Sequence, residues 1–397
     1  MNGTSRLRIG ALCALATISF AAVAQTAVAK SSKPKPVGNA YTETNDPAGN
    51  SLIVYTRWPN GSLKKAQTVS TGGKGSTQDV GCGPGCPILD SQGAVVVSND
   101  GKIIAAVNGG SNTVSTFLRA GNGKVSLADQ KDTGGQLPNS VAIHGNVLYV
   151  LNTNRQTIAG FNVSSTGKLT AIAGSVQPLA HQVPAGVPTP RGLDISSSGK
   201  VVAVTGLATQ DINTFVLDGS GAAGAAISTP SADKFPFGIA FGAGDQLVVA
   251  NIKDPVNPVT GSVSSYTVTD AGAVTPVGTT SSNGVLPCWV AISKNGRYAY
   301  AVNTGAGAPA TVAEYGLSSA AQLTFIGLSD WPGDEFARTE VDLSRDDKFL
   351  YVLSPSVGMP NKKSRIDVYK RRADGQLTYA GHTSGDIGPG ASGVAAR

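Results

Sequence analysis

A short phrase recurs six times along the chain. Each copy has an apolar strand, a polar turn and a second apolar strand that often ends at an Asn. The copies are VVVSNDGKIIAAVN (Val95–Asn108), VAIHGNVLYVLN (Val141–Asn152), LDISSSGKVVAVTG (Leu193–Gly206), IAFGAGDQLVVAN (Ile239–Asn251), VAISKNGRYAYAVN (Val290–Asn303) and VDLSRDDKFLYVLS (Val341–Ser354). Their last residues are 44, 54, 45, 52 and 51 residues apart. A period of roughly 40–50 residues built from short strands predicts an all-β fold of the β-propeller type.

The composition supports this fold class. Glycine accounts for 50 of the 397 residues, whereas charged residues make up only 14%. Tight turns and β-forming residues therefore dominate over helix-forming ones. The hydrophobic fraction of 41% is sufficient for a packed core, which excludes an intrinsically disordered chain.

Each repeat is predicted to form one blade of four strands. In the sixth blade we place the strands at Val290–Ser293, Tyr298–Asn303, Ala310–Tyr315 and Leu323–Leu328. The first hairpin of each blade has turn residues such as Asn295-Gly296, which permit a tight reversal. Because one blade cannot bury both of its faces, we expect neighbouring blades to stack and form the core together.

The two ends of the chain are predicted to share one blade. The N-terminal piece supplies three strands, Asn39–Thr44, Ser51–Thr56 and Ser62–Val69, but it has no innermost strand. The tail Ala391–Ala396 has the sequence of an innermost strand. We therefore predict seven blades, closed by pairing of the C-terminal strand into the N-terminal blade. Closure removes the free strand edges of an open array.

The first 29 residues have the pattern of a signal peptide. Arg6 and Arg8 precede the apolar run Ile9–Ala24, and Ala27–Ala29 has the small-x-small pattern of a cleavage site. The apolar run is shorter than the ~20 residues that a membrane-spanning helix needs. We expect residues 1–29 to be removed, 30–37 to be flexible, and 38–397 to form the propeller. The protein would then be secreted or periplasmic, with no membrane span.

Charge and cysteine content exclude several function classes. The formal net charge is +6, and the basic residues cluster only at Lys30–Lys35 and Lys362–Arg372. Nucleic-acid binding needs a denser basic stripe with stacking aromatics, so we interpret the second cluster as a solvated blade edge. Cys82 and Cys86 could form a small disulfide loop after export, and Cys288 is expected to pack as a small apolar residue. We expect no metal and no cofactor.

The repeat resembles the seven-bladed lactonase and YVTN-type propeller family, which includes 6-phosphogluconolactonase-like and carboxymuconate-cyclising enzymes. The resemblance covers nearly all of Gly38–Arg397. It rests on the Gly-Arg/Lys-x-x-x-Tyr-Val-Asn-like phrases and on the outer hairpin Asp374–Leu377. It implies a small-molecule partner and chemistry that forms or opens a lactone at one mouth of the central channel.

Five residues are candidates for that mouth because of their positions in the repeat. Asn139 and Arg191 stand at the start of an innermost strand, Arg338 stands one step earlier in its own repeat, and Asn152 and Asn303 end second strands. A guanidinium binds a carboxylate or phosphate through two hydrogen bonds, which suits an anionic or carbonyl ligand. The alternative is structural: the arginines would tie neighbouring blades through backbone carbonyls, and the asparagines would cap loops.

Two further residues are candidates for acid–base chemistry. His181 lies in the long loop Gly174–Pro190, from which it could reach the channel mouth beside Arg191. Glu335 precedes the last innermost strand and could act as a general base, with a solvated carboxylate as the alternative.

The family pattern often has Pro-Arg-His at one innermost strand and Asn-Glu at the end of the next. Pro190 and Arg191 match it, whereas Gly192 replaces the His and Gly206-Leu207 replaces the Asn-Glu. Two hypotheses follow. The first is an exported lactonase-like enzyme acting on a small polar carbonyl compound. The alternative is a non-catalytic propeller that binds a ligand or a protein.

Overall fold

The computed structural model describes residues 1–3, 34–78, 89–184, 190–253, 260–305, 309–329, 336–357, 359, 361–383 and 387–397. The chain divides into two compact units, Met1–Pro34 and Lys35–Arg397. All the strands described below lie in the second unit. Residues 4–29 of the predicted signal peptide, the Cys82–Cys86 loop and Glu335 lie outside the described residues.

Seven antiparallel sheets form the blades, which we number from the N-terminus. Blade 1 contains β1 (Gly38–Glu43), β2 (Ser51–Arg57), β3 (Leu63–Ser70) and the last strand β29 (Ser392–Ala396). Blade 2 contains β4 (Val95–Val97), β5 (Ile103–Asn108), β6 (Thr113–Arg119) and β7 (Val125–Asp132). Blade 3 contains β8 (Pro138–His144), β9 (Val147–Asn152), β10 (Thr157–Val163), β11 (Leu169–Ala171) and the short β12 (Gln177–Pro178).

The remaining four blades have four strands each. Blade 4 contains β13 (Leu193–Ile195), β14 (Val201–Gly206), β15 (Asp211–Val216) and β16 (Ile227–Pro230). Blade 5 contains β17 (Pro236–Phe241), β18 (Gln246–Asn251), β19 (Thr260–Val268) and β20 (Val274–Val285), with a 3₁₀ turn at Ala243–Asp245. Blade 6 contains β21 (Pro287–Ile292), β22 (Tyr298–Asn303), β23 (Thr311–Leu317) and β24 (Leu323–Ser329). Blade 7 contains β25 (Val341–Leu343), β26 (Phe349–Ser354), β27 (Arg365–Arg371) and β28 (Leu377–His382).

The seven-bladed fold and its closure by the tail are confirmed. Strand β29 pairs antiparallel with β1, with Ala40 opposite Ala396 and Tyr41 opposite Ala395. The innermost strands contact one another in cyclic order, so that β29 touches both β25 of blade 7 and β4 of blade 2. The tail therefore supplies the innermost strand that the N-terminal piece lacks.

The apolar core is divided into layers between neighbouring blades. Tyr41 and Val54 of blade 1, for example, pack against Val95 and Phe117 of blade 2. The β-branched and aromatic residues of the repeat thus face an adjacent sheet, as the stacking prediction requires. The innermost and middle strands are almost fully buried, whereas the outermost strands alternate with solvent.

A tyrosine of the repeat ties each of three blades to the next. The phenol of a second strand donates a hydrogen bond to the carbonyl of a glycine in the outer hairpin of the following blade. The pairs and their oxygen–oxygen distances are Tyr149–Gly221 (2.6 Å), Tyr300–Gly375 (2.7 Å) and Tyr351–Gly61 (3.0 Å). All three glycines have positive φ angles between 84° and 89°, which disfavours other residues in these turns. The Tyr of the recurring phrase and the Gly of the outer hairpin are therefore partners in one hydrogen bond between consecutive blades.

Within the described part of the chain, none of the helical segments has the length and apolarity required to span a bilayer.

Candidate functional site

The strand order gives the ring two different faces. The turns that join the first strand to the second and the third to the fourth lie on one side, which we call the hairpin face. The loops after the second strands and the links between blades lie on the other side, which we call the strand-exit face. The residues predicted for a site, Arg191, Arg338, Asn139, Asn152 and Asn303, all lie at strand ends on the strand-exit face.

The segment Ser91–Ala94, here called the channel segment, lies between the innermost strands. It precedes β4 of blade 2, yet Gln92 forms a parallel bridge with Gly192 of blade 4, and its N–H donates to the Arg191 carbonyl at 2.9 Å. The Gln92 amide donates to the carbonyls of Ile239 (2.6 Å) and Val290 (3.0 Å), and its oxygen accepts the Val290 N–H at 2.9 Å. One side chain therefore connects blades 5 and 6 to blade 2.

The same segment is bound on its other sides by blades 3 and 6. The Ser91 hydroxyl donates to the Asn139 carbonyl at 2.5 Å, and the Ser140 hydroxyl donates to the Gln92 carbonyl at 2.5 Å. The Trp289 indole N–H donates to the Ser91 carbonyl at 2.8 Å. These bonds satisfy backbone groups that would otherwise be buried without partners. The segment is therefore a fixed part of the core.

A buried glutamate of blade 7 completes the set of contacts. Glu340 is only 4% exposed, and its two carboxylate oxygens accept the N–H groups of Gly93 (3.0 Å) and Ala94 (3.2 Å). Burial raises the pKa of Glu340 to about 7; backbone N–H groups of Gly93, Ala94 and Gly393 oppose the rise, and the nearby charge of Asp342 adds to it. The channel segment thus bonds to blades 3, 4, 5, 6 and 7.

Two aspartates, each in the middle of an innermost strand, connect neighbouring blades. Asp194 of blade 4 accepts the Phe241 N–H of blade 5 at 2.8 Å, and Asp342 of blade 7 accepts the Ala396 N–H of blade 1 at 2.8 Å. Burial raises the pKa of Asp194 to about 6 and also raises that of Asp342. Both carboxylates already accept backbone hydrogen bonds, so their geometry is that of structural ties.

Arg191 lies in a buried cluster beside the channel segment. It is 1% exposed, and its Nη1 lies 3.6 Å from Asp90 Oδ2 and donates to the Asp90 carbonyl at 3.3 Å. Its guanidinium carbon lies 5.9 Å from the centre of the Phe237 ring, which packs edge-on against Trp289 at 5.1 Å. The guanidinium therefore joins blade 4 to the residue that leads into the channel segment.

Cys288 belongs to the same cluster. It is buried in β21 with a free thiol, as expected for a packed small residue. Burial raises the pKa of the thiol well above its ordinary value, and the charge of Asp90 adds to this, while Arg191 opposes it. A thiol in this state is protonated at neutral pH and is a poor nucleophile.

Glycines leave no room for larger side chains around this cluster. A Cβ on Gly238 would lie 2.4 Å from Gln92 Oε1, and a Cβ on Gly192 would lie 2.9 Å from Ile239 Cγ2. Gly192 is the position at which the family pattern often has His. The packing of β13 against β17 therefore excludes an imidazole there unless the neighbouring strand moves.

Arg338 is fully buried in a second cluster, built from blade 7. Its Nη1 donates to the Phe336 carbonyl at 3.1 Å, and its Nε lies 4.0 Å from Asp367 Oδ2. Arg365 lies 3.0 Å from the other oxygen of Asp367 and stacks over the Phe336 ring at 4.4 Å. Two arginines thus share one buried carboxylate, which offsets part of their positive charge.

His181 rests on the two outer strands of blade 4. Its Nδ1 lies 3.0 Å from Asp211 Oδ2, which also accepts a hydrogen bond from the Ser228 hydroxyl at 2.8 Å. Asp211 belongs to β15 and Ser228 to β16, whereas Arg191 immediately precedes the innermost strand. The side chain of His181 is 64% exposed. The structure therefore separates His181 from the Arg191 cluster by the width of the inner strands.

The three predicted asparagines are completely buried. Their amides donate to nearby acceptors, namely Asn139 to Pro190 O (3.2 Å), Asn152 to Thr133 O (3.4 Å), and Asn303 to Ser282 O (3.3 Å) and Thr311 Oγ1 (2.9 Å). A Cβ on Gly135 would lie 2.3 Å from the Asn152 side chain, and one on Gly284 would lie 2.2 Å from that of Asn303. Linker glycines therefore pack directly against Asn152 and Asn303.

Sequence reasoning missed Glu340, Gln92 and Asp90. A signal for Glu340 was present, because the equivalent positions before the other innermost strands carry small residues or Trp, and a carboxylate there has no repeat-wide role. Gln92 and Asp90 lie in the segment that precedes the innermost strand of blade 2, and the repeat pattern does not extend into that segment.

A polar cleft of about 510 Å³ opens on the strand-exit face over blades 1 to 3. Its lining consists mostly of polar side chains and main chain, from Pro47, Lys74, Gly75, Ser76, Thr77, Gln78, Gly109, Gly110, Asn112, Gln136, Leu137 and Asn154. The Asn154 amide donates to Gln78 Oε1 at 3.1 Å across the cleft. In the described residues, no group of three or more His, Cys, Asp or Glu side chains has the geometry to hold a metal.

Comparison with known proteins shows which proteins this architecture is similar to. Residues 48–179 match the family model described as "Lactonase, 7-bladed beta-propeller". A candidate 6-phosphogluconolactonase from Bacteroides uniformis has 18% identity over 90% of this chain and 99% of its own, with a TM-score of 0.68. The periplasmic gluconolactonase of Pseudomonas aeruginosa has 16% identity over 90% and 98%, with a TM-score of 0.65. A hypothetical selenium-binding protein from Sulfolobus tokodaii has 11% identity over 90% and 96%, with a TM-score of 0.60.

These comparisons confirm the resemblance to seven-bladed lactonase propellers that the repeat predicted. A search of curated protein sequences gives no significant match. At identities of 11–18% the structural likeness establishes the shared fold alone.

The Gln92 contacts predict a large effect on stability. Gln92→Ala should lower the free energy of unfolding by about 2–3 kcal/mol, because it leaves backbone groups of Ile239 and Val290 without partners. Gln177→Ala is the control, since its amide bonds only to Gly174 in an exposed loop, and it should cost less than about 0.5 kcal/mol. Urea unfolding of the three proteins measures both. Equal losses would show that the channel segment is not held by this side chain.

The raised pKa of Glu340 predicts a pH-dependent stability. The folded state favours the protonated acid, so this contribution is present below about pH 4.5 and is lost as the pH rises through about 7. A rise of this size corresponds to about 3 kcal/mol. The difference in unfolding free energy between the wild type and Glu340→Gln should therefore change by about that amount between pH 4.5 and 7.5. Parallel pH profiles of the two proteins would contradict the assignment.

Proposed function

We propose, on the resemblance of this chain to the seven-bladed lactonase propellers, that it is a lactonase-like enzyme. Its substrate would be a small polar carbonyl compound, either a lactone or an anionic precursor, bound at the strand-exit face. The match of residues 48–179 to the lactonase propeller family carries this proposal. The names of two proteins of similar fold, a gluconolactonase and a candidate 6-phosphogluconolactonase, support the substrate class.

The chemistry needs a cation or hydrogen-bond donors near the reacting carbonyl. In lactone hydrolysis water adds to the carbonyl carbon and the ring C–O bond breaks. The products are a hydroxyl group, a carboxylate and one proton released to solvent. Arg191 is the candidate for this role because a planar guanidinium can bind both the developing oxyanion and the product carboxylate. Its position at the strand-exit end of β13, next to Asp90, supports the assignment.

The second candidate function is a non-catalytic propeller that binds a small ligand. The occupied ring centre favours it, since the channel segment bonds to five other blades and Arg191 is 1% exposed. The family's His and Glu positions are occupied by Gly192 and Leu207, which cannot transfer protons. The polar cleft over blades 1 to 3 would then be the binding surface.

A panel of sugar and muconate lactones with a pH indicator distinguishes the two functions. The enzyme should release acid from at least one lactone, and Arg191→Lys should lower kcat/KM by about 10- to 100-fold, because one charge-assisted hydrogen bond contributes roughly 1.5–3 kcal/mol. Arg155→Lys is the control, being an exposed arginine on the same face, and it should leave the rate unchanged.

Two outcomes would count against this assignment. Thermal stabilisation by a lactone or sugar acid without acid release would favour the binding protein over the enzyme. Unchanged kinetics with a sharp fall in Tm for Arg191→Lys would show that Arg191 is a tie between blades and that the reaction occurs elsewhere.

We propose in addition that the protein is exported. The basic start and apolar run of residues 1–29, followed by Ala27–Ala29, support a signal peptide and a secreted or periplasmic location. Mass spectrometry of the protein recovered outside the cytoplasm should show a new N-terminus at Lys30. Recovery of the intact chain in the cytoplasmic fraction would contradict export. Export would also allow Cys82 and Cys86 to form a disulfide.

A further inference from the structure

A second cleft, of about 390 Å³, lies on the hairpin face, opposite the sites discussed above. Inner hairpin turns line it, with Lys294 from blade 6, Arg345–Asp346 from blade 7 and Asp100–Gly101 from blade 2. Gly38 at the start of β1 and Arg397 after β29 supply the blade 1 side. Four consecutive blades therefore meet at this cleft.

The cleft has a strong excess of positive charge. Five cationic side chains line it, but only two carboxylates, those of Asp100 and Asp346. The cations are Arg57, Arg119, Lys294, Arg345 and Arg397. The cationic side chains of the lining thus outnumber its acidic side chains by three. Asp342, outside the lining, lies 3.7 Å from Arg397 and offsets part of this excess, and the remaining positive charge attracts anions.

Arg57 is the deepest of these cations. Its side chain is 3% exposed, and its Nη1 lies 3.4 Å from Asp346 Oδ1. Its Nε is buried and has no hydrogen-bond partner among the described residues. Such a donor is costly unless a ligand or water supplies an acceptor. Gly38 allows the close approach, since a Cβ there would lie 3.3 Å from that Nε.

Contacts with neighbouring residues hold the guanidinium groups of Arg119 and Arg397 in place. Arg119 Nε donates to the Asn39 side chain at 2.6 Å. Arg397 donates to the carbonyls of Ala396 (2.9 Å) and Val97 (3.4 Å), and its Nη1 lies 3.7 Å from Asp342 Oδ2. A guanidinium has five N–H donors, so these anchors orient the groups and leave donors for a ligand. Asn39 is uncharged and does not neutralise Arg119, whereas Asp342 offsets part of the positive charge of Arg397.

We propose that this cleft binds a small organic anion with at least two acidic groups, either carboxylates or phosphates. Arg57 and Arg119 would form its inner end, and Lys294 and Arg345 would close on it from the inner turns. The preference for two acidic groups follows from the excess of cationic over acidic side chains in the lining and from the positions of Arg57, Arg119 and Arg345 on three different blades. This site is independent of the lactonase proposal, because the two lie on opposite faces.

Calorimetric titration at a fixed ionic strength of about 0.15 M tests the proposal with two probes, citrate and pyrophosphate, and with acetate for comparison. At least one probe should bind with a dissociation constant at least tenfold below that of acetate. Arg345→Gln should weaken that binding about fivefold or more, and Arg57→Gln about tenfold or more. Citrate and pyrophosphate distinguish carboxylate from phosphate recognition.

The chain offers a matched control in Arg297→Gln. Arg297 is an exposed arginine in the same turn as Lys294 but does not line the cleft, so its loss should change binding less than twofold. Arg345 is exposed, so the Arg345→Gln variant should fold normally. It keeps the test valid if the Arg57→Gln variant unfolds. Binding should also survive Arg191→Lys, which separates this site from the one on the strand-exit face.

Three results would overturn the proposal. One is equal weakening of probe binding by Arg345→Gln and Arg297→Gln, which would show that only long-range attraction by positive charge is at work. Another is the absence of tighter binding for both probes than for acetate. The third is binding of a long polyanion such as polyglutamate but of neither small probe, which would identify a surface for acidic macromolecules instead.

Discussion

The hydrogen bonds of the channel segment hold the centre of this propeller together. Four residues, Ser91–Ala94, bond to the innermost strands of blades 3, 4, 5, 6 and 7. In a ring of blades each sheet otherwise contacts mainly its two neighbours, so stability is close to a sum of nearest-neighbour terms. A segment that reaches five blades adds contacts across the ring. It thereby couples blades that the repeat alone would leave independent.

The same segment determines what the strand-exit face can do. Arg191 is held between Asp90 and Phe237 because the chain leading into the channel segment runs directly over it. Gly192 and Gly238 leave the space that Gln92 occupies, and a larger residue at either position would collide with it or with β17. The missing His and the occupied centre are therefore both consequences of the close packing of the innermost strands. The space that a His side chain would need at position 192 is occupied by Ile239 of the neighbouring strand.

The repeat made most of the fold predictable. Periodic strands predicted seven blades, and the incomplete N-terminal blade predicted that the tail would pair with β1, as Ala40 and Ala396 do. The site was less predictable because its contacts join residues far apart in the chain: Gln92 and Ile239 are 147 positions apart, and Gly93 and Glu340 are 247. Such pairs have no periodic signal. His181 shows the same limit, since its loop position did not reveal that Asp211 would hold it at the outer strands.

Closure of the ring and the basic cleft have a common origin at the junction of the two chain ends. The N–H of Asn39 donates to the Arg397 carbonyl at 2.8 Å, and the N–H of Arg397 donates back to Asn39 at 2.9 Å. This pair fixes Arg397 at the edge of the cleft, and the Asn39 side chain orients Arg119 from blade 2. Arg57, two strands further out in blade 1, reaches the same cleft beneath Gly38. A ligand held by these arginines would bridge the seam, and it would stabilise the closed ring by its preference for the paired state.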